Sequence, residues 1–127
     1  MNIDPILLSV YARTFKSITD EMSISMQQTT RSPILCEAKD FVTGLYDGAG
    51  RMLEQTENLP ILAFSLAPVC KHIIEYFGDD IHPGDVFALN APYNGGTHLP
   101  DITVCSPVFD SPGANILFWV ASRGHHA

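Results

Sequence analysis

The sequence predicts an α+β fold in which a long N-terminal helix and a second helix pack on a mostly antiparallel sheet, as part of a larger domain. Three observations predict it. Apolar residues recur at helical spacing near the start, and again before residue 78. Short apolar, β-rich runs separated by Gly and Pro turns fill much of the remainder. These helices and strands are grouped, not strictly alternating, which favours antiparallel pairing over a wound parallel sheet. At 127 residues and 46% apolar content, the chain is long enough for one modest core, so residues 1–127 are read as one unit.

The elements follow in order. Asp4 stands at an N-cap position and Pro5 at the first helical position, where a missing N–H costs nothing. Leu7, Tyr11, Phe15, Ile18, Met22 and Met26 then form one stripe, for a core or a partner groove. Ser32-Pro33 stops the pattern, and the helix is expected to end near Thr30. Phe41 to Tyr46 and Met52 to Leu53 flank Asp47-Gly48-Ala49-Gly50, a turn suited to a hairpin. The second helix is expected from about Ser65 to Phe77, with Val69, Ile73 and Phe77 aligned and Gly78 as its stop. Pro83-Gly84 leads into a strand over Val86 to Leu89, and two further strands are expected at Ile102 to Phe109 and Ile116 to Ala121. Asp110-Ser111-Pro112-Gly113-Ala114-Asn115 joins the last two. The chain stops at His125-His126-Ala127 directly after an apolar strand, which predicts a fragment or one piece of a split subunit.

Composition excludes some functions. A formal charge of -7 argues against a nucleic-acid partner. No apolar run approaches the ~20 residues needed to span a bilayer, and no secretory leader is visible, so a cytoplasmic setting is expected. Cys36, Cys70 and Cys105 are odd in number and widely spaced, which predicts buried reduced thiols and no disulfide framework. No phosphate-binding glycine motif is present, so nucleotide binding by this chain is not expected.

The densest cluster of chemistry is the loop from Asn90 to Asp101, between two expected strands. Gly95 and Gly96 permit unusual backbone angles, while Pro92 and Pro100 fix φ on either side. His98 and Asp101 are three apart, a spacing that brings imidazole and carboxylate together in a turn but not in a strand. A turn-capping His98 beside a strand-initiating Asp101 is the plainer alternative. His125 and His126 follow the neighbouring strand, and alternation allows only one of them to face His98. Asp40, at the start of another strand, offers a second carboxylate. Two imidazoles and two carboxylates suit zinc, manganese, iron or cobalt. Such an ion lowers the pKa of water to about 7 and polarises a carbonyl, which implies hydrolysis or carbonyl activation.

Taken in order and spacing, several segments resemble the hydantoinase B and oxoprolinase family across nearly the whole chain. They are Asp4-Pro5, Lys39-Asp40-Phe41, Tyr46-Asp47-Gly48-Ala49-Gly50-Arg51, His82-Pro83-Gly84-Asp85-Val86, Gly95 to Asp101, and Ala121 to Ala127. The resemblance makes residues 1–127 the N-terminal portion of a hydantoinase B-type domain. It implies Asp40, His98, Asp101 and His125 as metal ligands and His126 as a general base or a partner of those ligands. It makes Gly95, Gly96 and Thr97 the loop facing substrate. It also implies a hetero-oligomeric assembly in which a hydantoinase A-type, actin-like subunit or domain binds ATP and Mg and activates the substrate by phosphorylation. The implied reaction is ring-opening hydrolysis of a cyclic amide of the hydantoin, N-methylhydantoin or 5-oxoproline type. Related ketone carboxylases supply an alternative, an alpha-type subunit directing a carbon nucleophile. A noncatalytic assembly subunit is a third reading, its striped helix and final strand then being interface. The chain departs from the family's usual pattern at Ala91, where an Asp is common, and at Asn58 and Leu62, where many hydrolases carry His.

Overall fold

The computed structural model describes residues 2–56, 66–96 and 98–126. Helix α1 runs Pro5–Thr29, and the Asp4 side chain accepts a hydrogen bond from the Ile6 N–H at 2.9 Å, capping it as expected. Its C-cap, Thr30, is extended. The Ser32-Pro33 stop also serves as a start. Pro33 opens a single turn, α2 (Pro33–Cys36), which the sequence reading missed because it took this proline only as a terminator.

Strands β1 (Phe41–Asp47) and β2 (Met52–Gln55) form the expected hairpin. Asp47 builds its turn: Oδ1 accepts from the Ala49 and Arg51 N–H groups at 3.0 and 2.9 Å, and Oδ2 accepts from Arg51 Nε at 2.7 Å. Gly50 closes the turn at φ 82°, where a side chain would be strained. Helix α3 spans Ala67–Phe77 and ends at Gly78, whose N–H bonds the Ile74 carbonyl at 2.9 Å. The expected start at Ser65 lies outside the described residues. Strand β3 is short, Phe87–Leu89, and β4 covers Asp101–Phe109. Strand β5, Ile116–His125, continues four residues beyond the expected end at Ala121.

The five strands pair antiparallel in the order β2-β1-β5-β4-β3. Cross-strand partners share a face, so Val42, Gly44 and Tyr46 line up with Arg123, Ala121 and Trp119, and these with Thr103, Cys105 and Pro107. Leu66, Val69, Cys70 and Ile73 from the α3 region close over that face to make the core. Burying each large apolar side chain there contributes roughly 1.5–3 kcal/mol. Cys70 and Cys105 meet within it, their Sγ atoms 3.8 Å apart, while Cys36 is only half-buried.

The opposite face receives α1 and α2. Thr43 Oγ1 donates to the Thr19 carbonyl of α1 at 2.9 Å, and the Thr43 N–H bonds Thr56 Oγ1 at 3.0 Å. A Cβ on Gly124 would lie 2.9 Å from Leu35 and 3.0 Å from Met26, so this glycine lets both helices approach β5. The α1 stripe is buried unevenly: Leu7 and Tyr11 remain half-exposed, as do Ile102, Val104 and Val108 on the same side of β4. Among the described residues no helix is long and apolar enough to cross a membrane.

Candidate functional site

The 98–101 spacing is a turn. The Asp101 N–H bonds the His98 carbonyl at 3.0 Å, folding Leu99-Pro100 outward, and His98 Nδ1 meets Asp101 Oδ2 at 2.8 Å. Asp101 is 3% exposed, whereas the His98 ring is 66% exposed, so a buried carboxylate holds an open imidazole. Upstream, a 3₁₀ turn at Pro92–Asn94 leads to Gly95 at φ 91°. A Cβ on Gly96 would stand 2.6 Å from the Ala91 carbonyl oxygen, so the chain doubles back too tightly there for any side chain. Asn90 Nδ2 donates to the Leu99 carbonyl at 3.2 Å, closing the loop from its other end. Thr97, expected in the substrate loop, lies outside the described residues, as do Asn58 and Leu62.

Strand register supplies the rest of the row. Asp101 pairs with His125, and Phe41 with Gly124. The His125 N–H bonds the Asp40 carbonyl at 3.2 Å, which carries the β1–β5 ladder one step further and sets Asp40 beside His125. Asp101 and His125 thus sit side by side on adjacent strands, on the core side of the sheet, about 4.8 Å apart, and Asp40, the residue before β1, stands on the other flank of His125. Lys39, at φ 54°, is the one described non-glycine residue with positive φ, and it turns the chain from α2 into Asp40. His125 Nδ1 is buried and has no hydrogen-bond partner among the described residues. His126 is exposed beyond the strand end, its N–H bonded to the Pro100 carbonyl at 2.9 Å.

One residue escaped the sequence reading. Arg123, two positions before His125, is completely buried. Its Nε donates to Thr103 Oγ1 at 2.6 Å and its Nη2 to the Gly95 carbonyl at 3.0 Å. Burial pulls its pKa below the usual arginine value, and the nearby Asp101 charge opposes that pull. An arginine inside a run that pairs on both edges was the available signal.

Two carboxylates and imidazole nitrogens are a donor set for a borderline divalent cation, and the unpartnered His125 nitrogen fits such a role. The register aligns Asp40, His125 and Asp101, and the turn adds His98. Among the described residues, however, no three such side chains converge on a single point.

The family model for hydantoinase B/oxoprolinase matches residues 4–127. The chain belongs to the hydantoinase B/oxoprolinase family. It is 39% identical over 124 residues to 5-oxoprolinase PfmaA of Pestalotiopsis fici, covering 98% of this chain and 10% of that protein. With caprolactamase subunit beta of Pseudomonas jessenii it shares 33% identity over 123 residues, 97% of this chain and 21% of that one. The solved structure of the ATP-dependent caprolactamase from that organism superposes with a TM-score of 0.90 at 32% identity, over 99% of this chain and 21% of that chain. An acetone carboxylase structure superposes at 0.82 with 25% identity, over 96% of this chain and 16% of that chain. The hydantoinase B/oxoprolinase resemblance read in the sequence is borne out, and the chain spans between about a tenth and a fifth of these relatives.

Proposed function

We propose that the protein carrying this chain opens the ring of a cyclic amide by ATP-dependent hydrolysis, and that this chain contributes the ligands of a divalent metal. Asp40, His98, Asp101 and His125 are the proposed ligands, with zinc, manganese or iron as the ion. ATP and Mg are assigned to a hydantoinase A-type partner subunit or domain. The observation that carries the proposal is the pairing of His125 with Asp101 across β5 and β4, with Asp40, just before β1, on the other flank of His125 and His98 bonded to Asp101.

When bound, the ion supplies Lewis acidity to a carbonyl and makes water a better nucleophile. The chain's own groups do the rest. Asp101 engages His98 Nδ1, which leaves Nε2 as the nitrogen free to bind the ion. Asp40 and His125 present the second carboxylate and imidazole from one end of the sheet. His126, exposed beyond the strand end, is the proposed acceptor of a proton from attacking water. The tight Gly95-Gly96 turn keeps the loop backbone open to a small ring substrate.

The likeness to acetone carboxylase favours a second reading, the alpha-type subunit of a ketone carboxylase. One assay on the full-length protein with its partner separates the two. Phosphate release driven by 5-oxoproline, hydantoin or caprolactam supports hydrolysis, while bicarbonate-dependent consumption of a ketone supports carboxylation. In that preparation His98→Ala is expected to lose bound metal and turnover together. Unchanged metal content and rate would sink the assignment. A stable complex with no metal in the wild-type protein would leave only an assembly role.

A further inference from the structure

We propose that Arg123 is the positioning residue of this site, a strut that fastens the Gly95-Gly96 turn to the strands bearing Asp101 and His125. The proposal rests on the functional reading above and adds a residue to it.

Taking a guanidinium wholly out of water is costly unless its donors are used. Here two of its three nitrogens are used, while Nη1 is buried without a hydrogen-bond partner among the described residues. Nε is bound to Thr103 Oγ1, its cross-strand partner, at 2.6 Å, and Nη2 reaches out of the sheet to the Gly95 carbonyl at 3.0 Å. The planar fork thus spans sheet and loop with one rigid group, which a flexible lysine stem cannot do. Gly95 is pinned from behind as well. A Cβ there would lie 3.0 Å from Val69 N and 3.1 Å from Pro68 C, so the turn is pressed against the start of α3. Between Gly95 and Asp101 the loop carries His98, the exposed member of the proposed ligands. His125 and Asp101 are held independently by the β4–β5 ladder, and Asp40 by the bond from the His125 N–H to its carbonyl. Releasing Arg123 therefore loosens the loop at its Gly95 end and leaves the row in place.

The test uses the full-length protein with its partner, as wild type, Arg123→Lys and Thr103→Val. Amide hydrogen exchange is measured over residues 91–100, with KM and kcat for the cyclic amide that the wild type turns over. Losing one hydrogen bond to a charged group corresponds to about a ten- to hundredfold effect, so both variants are expected to exchange at least about tenfold faster in that segment and to raise KM by about as much. Metal content at saturating metal and kcat are expected to change far less. If Arg123→Lys fails to fold, Thr103→Val decides alone, because it removes one methyl-sized hydroxyl and no charge. Folded variants with wild-type exchange in the loop and wild-type KM overturn the proposal, and so does a loss of thermal stability alone. Faster loop exchange in a protein whose wild type turns over no cyclic amide supports the strut while refuting the proposed reaction.

Discussion

Replacing Tyr46 by Phe is expected to stabilise the fold. Tyr46 is fully buried, and its hydroxyl has no hydrogen-bond partner among the described residues. Burial, followed by the neighbouring Cys70 and Cys105, drives its pKa far above the ordinary tyrosine value, so the group stays neutral throughout. Leaving a buried polar group unpaired costs roughly 1–3 kcal/mol. Phe keeps the ring and removes that cost, for an expected gain of about 1 kcal/mol, or a rise of a few degrees in Tm. Geometry supplies an internal control. A Cβ on Gly44 would lie 2.5 Å from the Tyr46 hydroxyl oxygen and 2.8 and 2.9 Å from two ring carbons. Gly44→Ala is therefore expected to destabilise by about 1–3 kcal/mol, as overpacking does. In a Tyr46→Phe background the shortest clash is gone but the ring contacts remain, so part of the penalty is relieved, with a coupling of about 0.5–1 kcal/mol. Urea denaturation followed by the fluorescence of Trp119, the chain's single and fully buried tryptophan, reads all four proteins. Destabilisation by Tyr46→Phe, or strict additivity with Gly44→Ala, would refute the placement of the hydroxyl over Gly44.

Two further substitutions probe the loop and the hairpin. Gly96→Ala forces a Cβ to within 2.6 Å of the Ala91 carbonyl oxygen, and backbone cannot yield as a side-chain tip can. Turnover of the full-length enzyme is expected to fall by more than about tenfold, since small misplacements near a reacting centre are amplified in rate. Wild-type turnover would remove this loop from the site. At Asp47, burial raises the carboxyl pKa, but hydrogen bonds from the Arg51 and Ala49 N–H groups and the Arg51 side chain outweigh it and hold it below its ordinary value. The ionised group therefore stabilises the turn above its unfolded pKa of about 3.9, and the contribution is lost as pH falls through the lower folded value. Asp47→Asn is expected to cost less than about 1 kcal/mol at pH 7, its Arg51 partner being largely solvated. The gap to wild type should close below about pH 3.9, and a deficit that persists in acid would mean the carboxylate charge plays no part.

Much of the fold was legible because it follows local periodicity. The Asp4-Pro5 start, the Asp47-Gly50 hairpin and the Gly78 stop each depend on chemistry within a few residues. The final stretch of β5 was not legible, because Ser122-Arg123-Gly124 breaks the apolar run. Arg123 is tolerated in the core only through Thr103 and Gly95, which lie 20 and 28 residues away. The helical turn at Pro33 was hidden for a related reason, a proline being both a stop and a start. At the site, the 98–101 turn could be read from spacing. That Asp40 stands beside His125 could not, since it follows from the strand order, which no local pattern encodes.

The placement of β5 has a consequence for how the molecule comes into being. Of the five described strands, the last in sequence, β5, is the middle one of the sheet, and β1 and β4 are joined only through it. The β1–β2 and β3–β4 pairs can form early, as two separate pieces. Between Asp47 and Ile116 lie several seconds of synthesis at about 5–20 residues per second. During that interval the inner edges of β1 and β4 stand open to wrong partners. Insertion of residues 116–125 closes both edges at once and, in the same event, brings Asp40, His125 and Asp101 into line. Assembly of the proposed site is therefore tied to completion of the sheet, and a nascent chain that stalls before β5 carries neither.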